Sequence, residues 1–438
     1  MNRKPPAAVP IAAAPAAEPL SDQETGHRGP QWYSQLPREH RPAFWASSVG
    51  WALDAFDFNT LPLALTAIGA ELALSPAKSG LIMTVTLVAS AVGGSLAGLL
   101  ADRIGRTRVL MITIGTFAVF TALSGLSQNY AEILLFKGSQ GLGFGGEWSV
   151  GAVLIAEVTP ARFRGRLLGF VSTSWAVGWA LAIVAYTLIF SYAGHEAWRY
   201  LFFVGILPAV ALLFMRRNVK DSEVSVRSRE EAAVQSRADS GFSALFRPDL
   251  RRITLMTLLV GIGTQGGYYA VFTWLPSYLH TTRGLTVVGT SGYLAVVIAG
   301  SFLGYAGAGY LHDWIGRRPT FIIFAVTGVV CVLAYTQIPA KDNTLLLVLG
   351  IPLGMAAAGS LAGNGVFFSE LFPSRVRGAG VGLAHNFGRG VAAFFPFMVG
   401  ALSTVLGLKA AIGVGAIGYL LVVIGALALP ETRGREIS

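Results

Sequence analysis

Long apolar stretches separated by short polar connections dominate the chain. Twelve of them approach the roughly 20 residues that a helix needs to cross a bilayer core of ~30 Å. They run near 44–68, 79–101, 107–127, 131–156, 166–191 and 198–215, then near 253–279, 287–311, 319–338, 344–369, 379–406 and 409–429. One longer polar stretch, 216–252, divides them six and six. The pattern predicts an all-α membrane protein of twelve transmembrane helices, here called spans 1 to 12, in two six-helix bundles. The expected units are a disordered cytoplasmic N-terminal tail (1–43), a first bundle (44–215), a cytoplasmic linker (216–252), a second bundle (253–429) and a cytoplasmic tail (430–438).

Composition supports the same class. Charged residues make up 13% of 438 positions and apolar ones 53%, where a soluble protein carries about 25% charge. The 53 glycines and 20 prolines suit membrane helices better than soluble ones. The lone Cys331 excludes a disulfide framework and reads as a small core residue. Residues 1–44 lack the apolar core of a signal peptide, and their Ala/Pro-rich opening is low in complexity.

The net charge of +10 raises the question of nucleic acid, and the placement of the charges answers it. Of the 33 Lys and Arg, 26 fall in the tails, the central stretch and the alternate connections on one side. Five lie on the other side, and Lys137 and Arg389 fall inside spans. The positive-inside rule places both termini and the central stretch in the cytoplasm, so the excess is a topology signal and not a nucleic-acid footprint. The charged, serine-rich central stretch reads as a solvated linker, with a regulatory site as the alternative.

The two halves echo each other. GLLADRIGRTR (98–108) matches GYLHDWIGRR (309–318): Gly98, Asp102, Gly105 and Arg106 recur 211 residues later as Gly309, Asp313, Gly316 and Arg317. EVTPARFRG (157–165) matches ELFPSRVRG (370–378), with Glu157, Pro160, Arg162, Arg164 and Gly165 recurring 213 residues later as Glu370, Pro373, Arg375, Arg377 and Gly378. Duplicated bundles are an architecture of secondary transporters, whose substrate site lies between the halves near mid-membrane.

Several of these strings resemble one family. GLLADRIGRTR resembles the motif between helices 2 and 3 of the major facilitator superfamily, KGSQGLGFGGEW its helix-4 RxxQG motif, and PETRG the sequence after its helix 12. The resemblance covers residues 44–435 and implies the twelve-helix major facilitator fold, alternating access and residence in the cell inner membrane. In such proteins the loop motifs act as gates, so Asp102, Arg103, Arg106, Glu157, Arg164, Asp313, Arg317, Glu370 and Arg377 are gating candidates, with anchoring at lipid headgroups as the plainer reading. Physically, Asp102 can accept hydrogen bonds at a helix N-terminus, while Arg103 and Arg106 can pair with Glu157.

Ionisable residues inside spans cost at least ~2.5 kcal/mol and need a reason. Asp54 and Asp57 share one face of span 1. Asp57 lies ~20 Å from the entry of span 1 and Lys137 ~9 Å from the other edge of the membrane, so in a core of about 30 Å their depths nearly coincide. An Asp57–Lys137 ion pair is expected, either coupling proton uptake or ordering spans 1 and 4. The resemblance adds that a span-1 Asp and a span-4 Arg form a coupling pair in proton symporters, with Lys137 here in the place of that Arg. Glu147 is a second proton site or a structural hydrogen-bond partner. Arg389 stands ~15 Å deep in span 11, where its forked donors suit a substrate carboxylate, or pair it with Asp54 or Glu147. His385, four residues earlier, is a proton or hydrogen-bond donor or a packing residue. Gln265, Tyr269 and Asn364 are further substrate-lining candidates, together with Trp148, Trp175, Tyr268 and Trp274. GTQGGYYAVFTWLP in span 7 reads as a broken helix.

WALDAFDF in span 1 and GGEW in span 4 resemble the branch of proton symporters that carry sialate, monocarboxylates and aromatic acids. The expected function is proton-coupled symport of a small organic acid anion. The alternative is a drug or metabolite efflux proton antiporter of the same fold, which usually carries a Gly-Pro run in span 5, where SWAVGWALA has none. No phosphate-cradling loop, nucleophile–base set or metal-ligand cluster is visible, so no enzyme activity, metal or cofactor is expected beyond the proton gradient. The expected partners are a small organic anion, protons and the lipid bilayer, with the protein acting as a monomer and binding no nucleic acid.

Overall fold

The computed structural model describes residues 41–158, 164–193, 197–216, 242–339, 343–373 and 376–433. The first half contains α1 (Arg41–Glu71), α2 (Pro76–Ile104), α3 (Arg106–Leu126), α4 (Tyr130–Val158), α5 (Arg164–Tyr192) and α6 (Ala197–Arg216). After a 3-10 turn at Phe242–Phe246 come α7 (Pro248–Ser277), α8 (Val287–Ile315) and α9 (Arg317–Gln337). Span 10 is α10 (Asn343–Ala362) followed by α11 (Asn364–Leu371). Span 11 is α12 (Arg377–Gly382), a π-turn (Leu383–Phe387), α13 (Gly388–Ala392) and α14 (Phe394–Ala411), and span 12 is α15 (Val414–Ala428). All twelve expected spans are present, and the described residues contain no strand. Large apolar side chains such as Leu135, Val330 and Val405 are left exposed, as a lipid-facing surface requires and a water-facing one does not tolerate in bulk.

Local chemistry sets the helix ends. Ser75 caps α2 by accepting from the Lys78 N–H at 3.3 Å, with Pro76 in the first turn. The internal repeat is written into the backbone as well: Gly105 ends α2 and opens α3 at φ 102°, and Gly316 does the same between α8 and α9 at φ 102°. That left-handed region is open to glycine and strained for other residues.

Two expectations from the sequence shift. Span 7 begins at Pro248, inside the stretch expected to be linker, and GTQGGYY is not broken: it lies within the continuous α7. The glycines there serve close packing, since Gly267 lies against the Tyr419 ring and Gly266 against Phe395. The interruptions fall elsewhere, at the π-turn Tyr278–Thr282 just beyond Pro276, at Gly363 in span 10 and at the π-turn of span 11.

Two polar clusters mark the two faces. On the face that carries the Arg- and Lys-rich connections (the basic face), Arg317 makes a forked pair with Glu370, Nε to Oε2 at 3.1 Å and Nη2 to Oε1 at 2.9 Å, and also reaches Asp313 at 3.3 Å. Thr432 donates to Glu370 at 2.5 Å. Glu431 then caps α9, accepting from the backbone N–H groups of Arg317 and Arg318 at 2.9 and 3.0 Å and from Thr432 and Arg433 at 2.9 Å each. Burial pushes the Glu431 carboxyl up, but the N–H donors of Arg317, Arg433, Arg318 and Thr432 outweigh it and hold the carboxyl below its ordinary range. Glu431 and Thr432 therefore tie the end of span 12 to spans 9 and 10 within the second half. Arg377 donates to the Ser369 and Phe372 carbonyls at 2.9 and 3.3 Å. On the opposite face, Glu71 at the end of α1 accepts from Trp198 at 2.5 Å and Arg199 at 2.6 Å, and Arg199 also donates to the Ser127 carbonyl at 2.6 Å.

The halves meet along α2 with span 11, α5 with α8, and α1 with α7. Several polar contacts cross between them in the part of the membrane nearer the opposite face. Thr66 and Ser277 share a hydrogen bond of 2.7 Å, and they stand 211 residues apart, the offset of the repeat. Thr84 donates to the Ala393 carbonyl at 2.6 Å, and Thr187 to Ser291 at 2.6 Å. The two halves are closed against each other on that side.

Candidate functional site

Two buried polar clusters face each other across the centre of the molecule, one in each half. In the first half, Asp57 and Lys137 are 1% exposed, and Gln140 is 4% exposed. The expected direct ion pair does not form, because Gln140 stands between the two charges. Lys137 Nζ donates to Gln140 Oε1 at 2.7 Å, and Gln140 Nε2 donates to Asp57 Oδ2 and to Thr121 Oγ1, the latter at 2.9 Å. The Lys137 ammonium also rests 3.9 Å from the centre of the Phe202 ring, which offsets part of its desolvation. Asp57 Oδ1 has no hydrogen-bond partner and faces Gly205. A small recess beside the cluster is lined by Asp57, Thr86, Phe117, Lys137, Gln140 and Phe144. Asp54, one turn nearer the basic face on α1, is buried as well.

In the second half, the π-turn of span 11 places His385 directly beside Arg389. Nη2 of Arg389 lies 2.8 Å from His385 Nε2, and its Nη1 donates to Ser90 of α2 at 2.9 Å. A guanidinium can only donate, so His385 Nε2 is the acceptor and its ring is neutral. The expectation of His385 as donor is corrected for that nitrogen. Gln265 of α7 lies on the third side: its Oε1 is 3.4 Å from both Arg389 Nε and the Tyr269 hydroxyl, and its Nε2 donates to the His385 carbonyl at 3.1 Å. Asn364 sits apart from this group, donating to Thr264 at 3.0 Å, with its Oδ1 unpartnered.

Phe144 connects the clusters. It lines the recess beside Asp57, and the Arg389 guanidinium lies 5.7 Å from its ring. Phe58 stacks on it at 5.5 Å and continues to Trp175 at 5.5 Å and Tyr269 at 6.1 Å, while Trp175 donates to the Tyr268 hydroxyl at 3.2 Å. The centre therefore offers a carboxylate, an ammonium and a guanidinium around an aromatic wall. Trp274 lies elsewhere, donating to the Pro396 carbonyl at 2.9 Å.

The side chains of Asp102, Arg103, Arg106, Glu147, Trp148, Glu157 and Arg164 lie outside the described residues. Their counterparts Asp313, Arg317 and Glu370 are described, and they act within the second half, as above. No group of His, Cys, Asp and Glu suited to a metal occurs among the described residues.

Gln140, Thr121 and Ser90 were missed from sequence. Gln140 follows Lys137 by three residues and so shares its face, a signal that was available. Ser90 and Thr121 carry none, since each reaches its partner only through packing of separate spans.

The chain matches the sequence profile described as Major Facilitator Superfamily over residues 48–344. It belongs to that superfamily. It is a multi-pass membrane transporter and not an enzyme. A probable 4-methylmuconolactone transporter of Cupriavidus pinatubonensis is 42% identical over 409 residues, covering 93% of this chain and 94% of that protein. A cis,cis-muconate transport protein of Acinetobacter baylyi is 30% identical, covering 88% and 90%. A solved structure, a D-xylose–proton symporter, shares the fold at TM-score 0.72 and 21% identity, covering 90% of this chain and 99% of that one.

Proposed function

We propose that this superfamily member carries out proton-coupled symport of a small, flat organic acid anion by alternating access. The observation that carries the reading is the pairing of two buried centres across one aromatic wall: Asp57, Gln140 and Lys137 on one side of Phe144, Arg389 with His385 and Gln265 on the other. Arg389 offers forked donors that match a carboxylate, at the place where the halves meet. The rings of Phe144, Phe58, Trp175 and Tyr269 would cover the face of a planar unsaturated or aromatic acid. Transport of a muconolactone and of muconate by relatives that span nearly the whole chain supports that class. Asp57 is the acid that takes up and releases the proton. Tyr269 is a further lining residue.

In this reading the protein works as a monomer in the inner membrane, with both termini cytoplasmic and no cofactor beyond the proton gradient. The contacts that close the opposite face then belong to the inward-facing side of the cycle.

Uptake of radiolabelled cis,cis-muconate, benzoate, lactate and sialate into proteoliposomes, under an imposed inward proton gradient, tests the proposal. Accumulation of a planar carboxylate that collapses when the gradient is dissipated supports it. Uptake that is indifferent to the gradient, or absent for every one of these carboxylates, rejects it.

A further inference from the structure

We propose that Gln140 sets the proton affinity of Asp57 and relays its charge state to Lys137, its amide serving as an orientational lock. The inference rests on Asp57 as the proton site in the reading above. All of the amide's capacity toward its neighbours is engaged: the two Nε2 hydrogens go to Asp57 Oδ2 and Thr121 Oγ1, and Oε1 holds the Lys137 ammonium at 2.7 Å. The orientation follows from charge, since an ammonium only donates and an ionised carboxylate only accepts. Turning the amide over would set Oε1 against the carboxylate and the NH2 group against the ammonium. Both contacts are repulsive, and inside a buried, low-dielectric site they are strongly so.

Protonation of Asp57 removes half of that constraint. The proton has a place to go, because Oδ1 faces Gly205 with no hydrogen-bond partner while Oδ2 is occupied by Gln140. It arrives from water on one face and is returned to water on the other, so only one O–H bond is made and later broken. Once Asp57 is neutral, the bond from Gln140 loses its charge assistance and about half its strength. Once the neutral carboxyl rotates and its two oxygens exchange places, its O–H can donate to Oε1, so the turned amide becomes acceptable at that end. Lys137 is then no longer held, and it can swing toward the recess wall at Phe144, whose ring borders Arg389. Lys137 is the one other charged group among the described residues that line the Asp57 recess. Thr121 from α3 and Gly205 from α6 face Asp57 without charge, Asp54 lies one turn away on α1, and Arg389 stands behind Phe144.

Infrared titration of the reconstituted full-length protein reads this directly and needs no substrate. The carboxylic-acid C=O band that disappears in Asp57→Asn reports the proton on Asp57. In Gln140→Leu its midpoint should move to higher pH by about one unit, the worth of a charge-assisted hydrogen bond. Gln140→Asn, too short to bridge, should follow it and covers the case in which the leucine variant misfolds. Lys137→Met should also move the midpoint upward, but by less than half as much when Gln140→Leu is already present. A band that stays at its wild-type midpoint in both Gln140 variants overturns the inference, and so do fully additive shifts. If no band depends on Asp57 between pH 4 and 9 (roughly its span when shifted), the underlying proton-site reading fails instead.

Discussion

Gly80 of α2 and Gly400 of α14 form a reciprocal contact that brings the two halves to backbone distance. A Cβ at position 80 would lie 2.5 Å from the Pro396 carbonyl oxygen and 3.0 Å from the Phe397 Cα, where ordinary contact begins at 3.4 Å. At position 400 it would meet the Pro76 oxygen at 2.4 Å. These neighbours are backbone, so no side-chain rotation relieves the clash and the helices must separate. Overpacking of this kind costs about 1–3 kcal/mol. The cost falls only on the arrangement closed at the opposite face, so Gly80→Ala should raise the ratio of open to closed by about 5- to 150-fold. The assay places one reporter, Thr84→Cys, in a Cys331→Ser background. Thr84 is on the same face of α2 and is buried against Ala393. Labelling by a membrane-impermeant maleimide applied from the opposite face should accelerate at least fivefold with Gly80→Ala (about the lower bound above). Gly115→Ala, where a Cβ meets nothing within 4 Å, should leave the rate unchanged. Equal labelling of the Gly80→Ala variant and its parent refutes the argument that this contact closes the opposite face.

Three further outcomes follow from the same structure. Arg389→Lys keeps the charge but cannot span Ser90, His385 and Gln265 together, so the apparent affinity for a carboxylate substrate should fall about 10- to 100-fold in uptake assays. Glu431→Gln should lower stability in detergent at pH 7 by about 1 kcal/mol, the scale of a helix cap partly screened by solvent. The native carboxyl is held below its ordinary range, so its contribution is complete above that range and is lost as pH falls through the lowered value. Melting curves of wild type and variant should therefore converge below about pH 4. Gly316→Ala combines a φ of 102° with a Glu431 oxygen 2.7 Å from the new Cβ. It should destabilise the second half by at least ~1–2 kcal/mol, read as a drop in melting temperature that Gly98→Ala, in open space, does not share.

The architecture was legible from the chain alone because the membrane leaves few options. With no water to satisfy backbone groups, an apolar stretch of about 20 residues has to be a helix, and all twelve appear where hydropathy places them. The repeat was legible too, and Gly105 and Gly316 share one backbone conformation because the same turn is built twice. Span 7 was misread, since glycines in a sequence do not reveal whether they break a helix or let Tyr419 and Phe395 approach it.

For the site, sequence marked the expensive residues. Asp57, Lys137 and Arg389 stood out because a buried charge needs a reason, and each is buried. Hydropathy, the internal repeat and the cost of buried charge thus give the spans, their duplication and the identity of the buried ions. Which of these side chains touch depends on how the helices pack. Depth along two separate helices gives height in the membrane but not rotation about each axis, and rotation is what puts Gln140 between Asp57 and Lys137 and brings Ser90 of one half to Arg389 of the other.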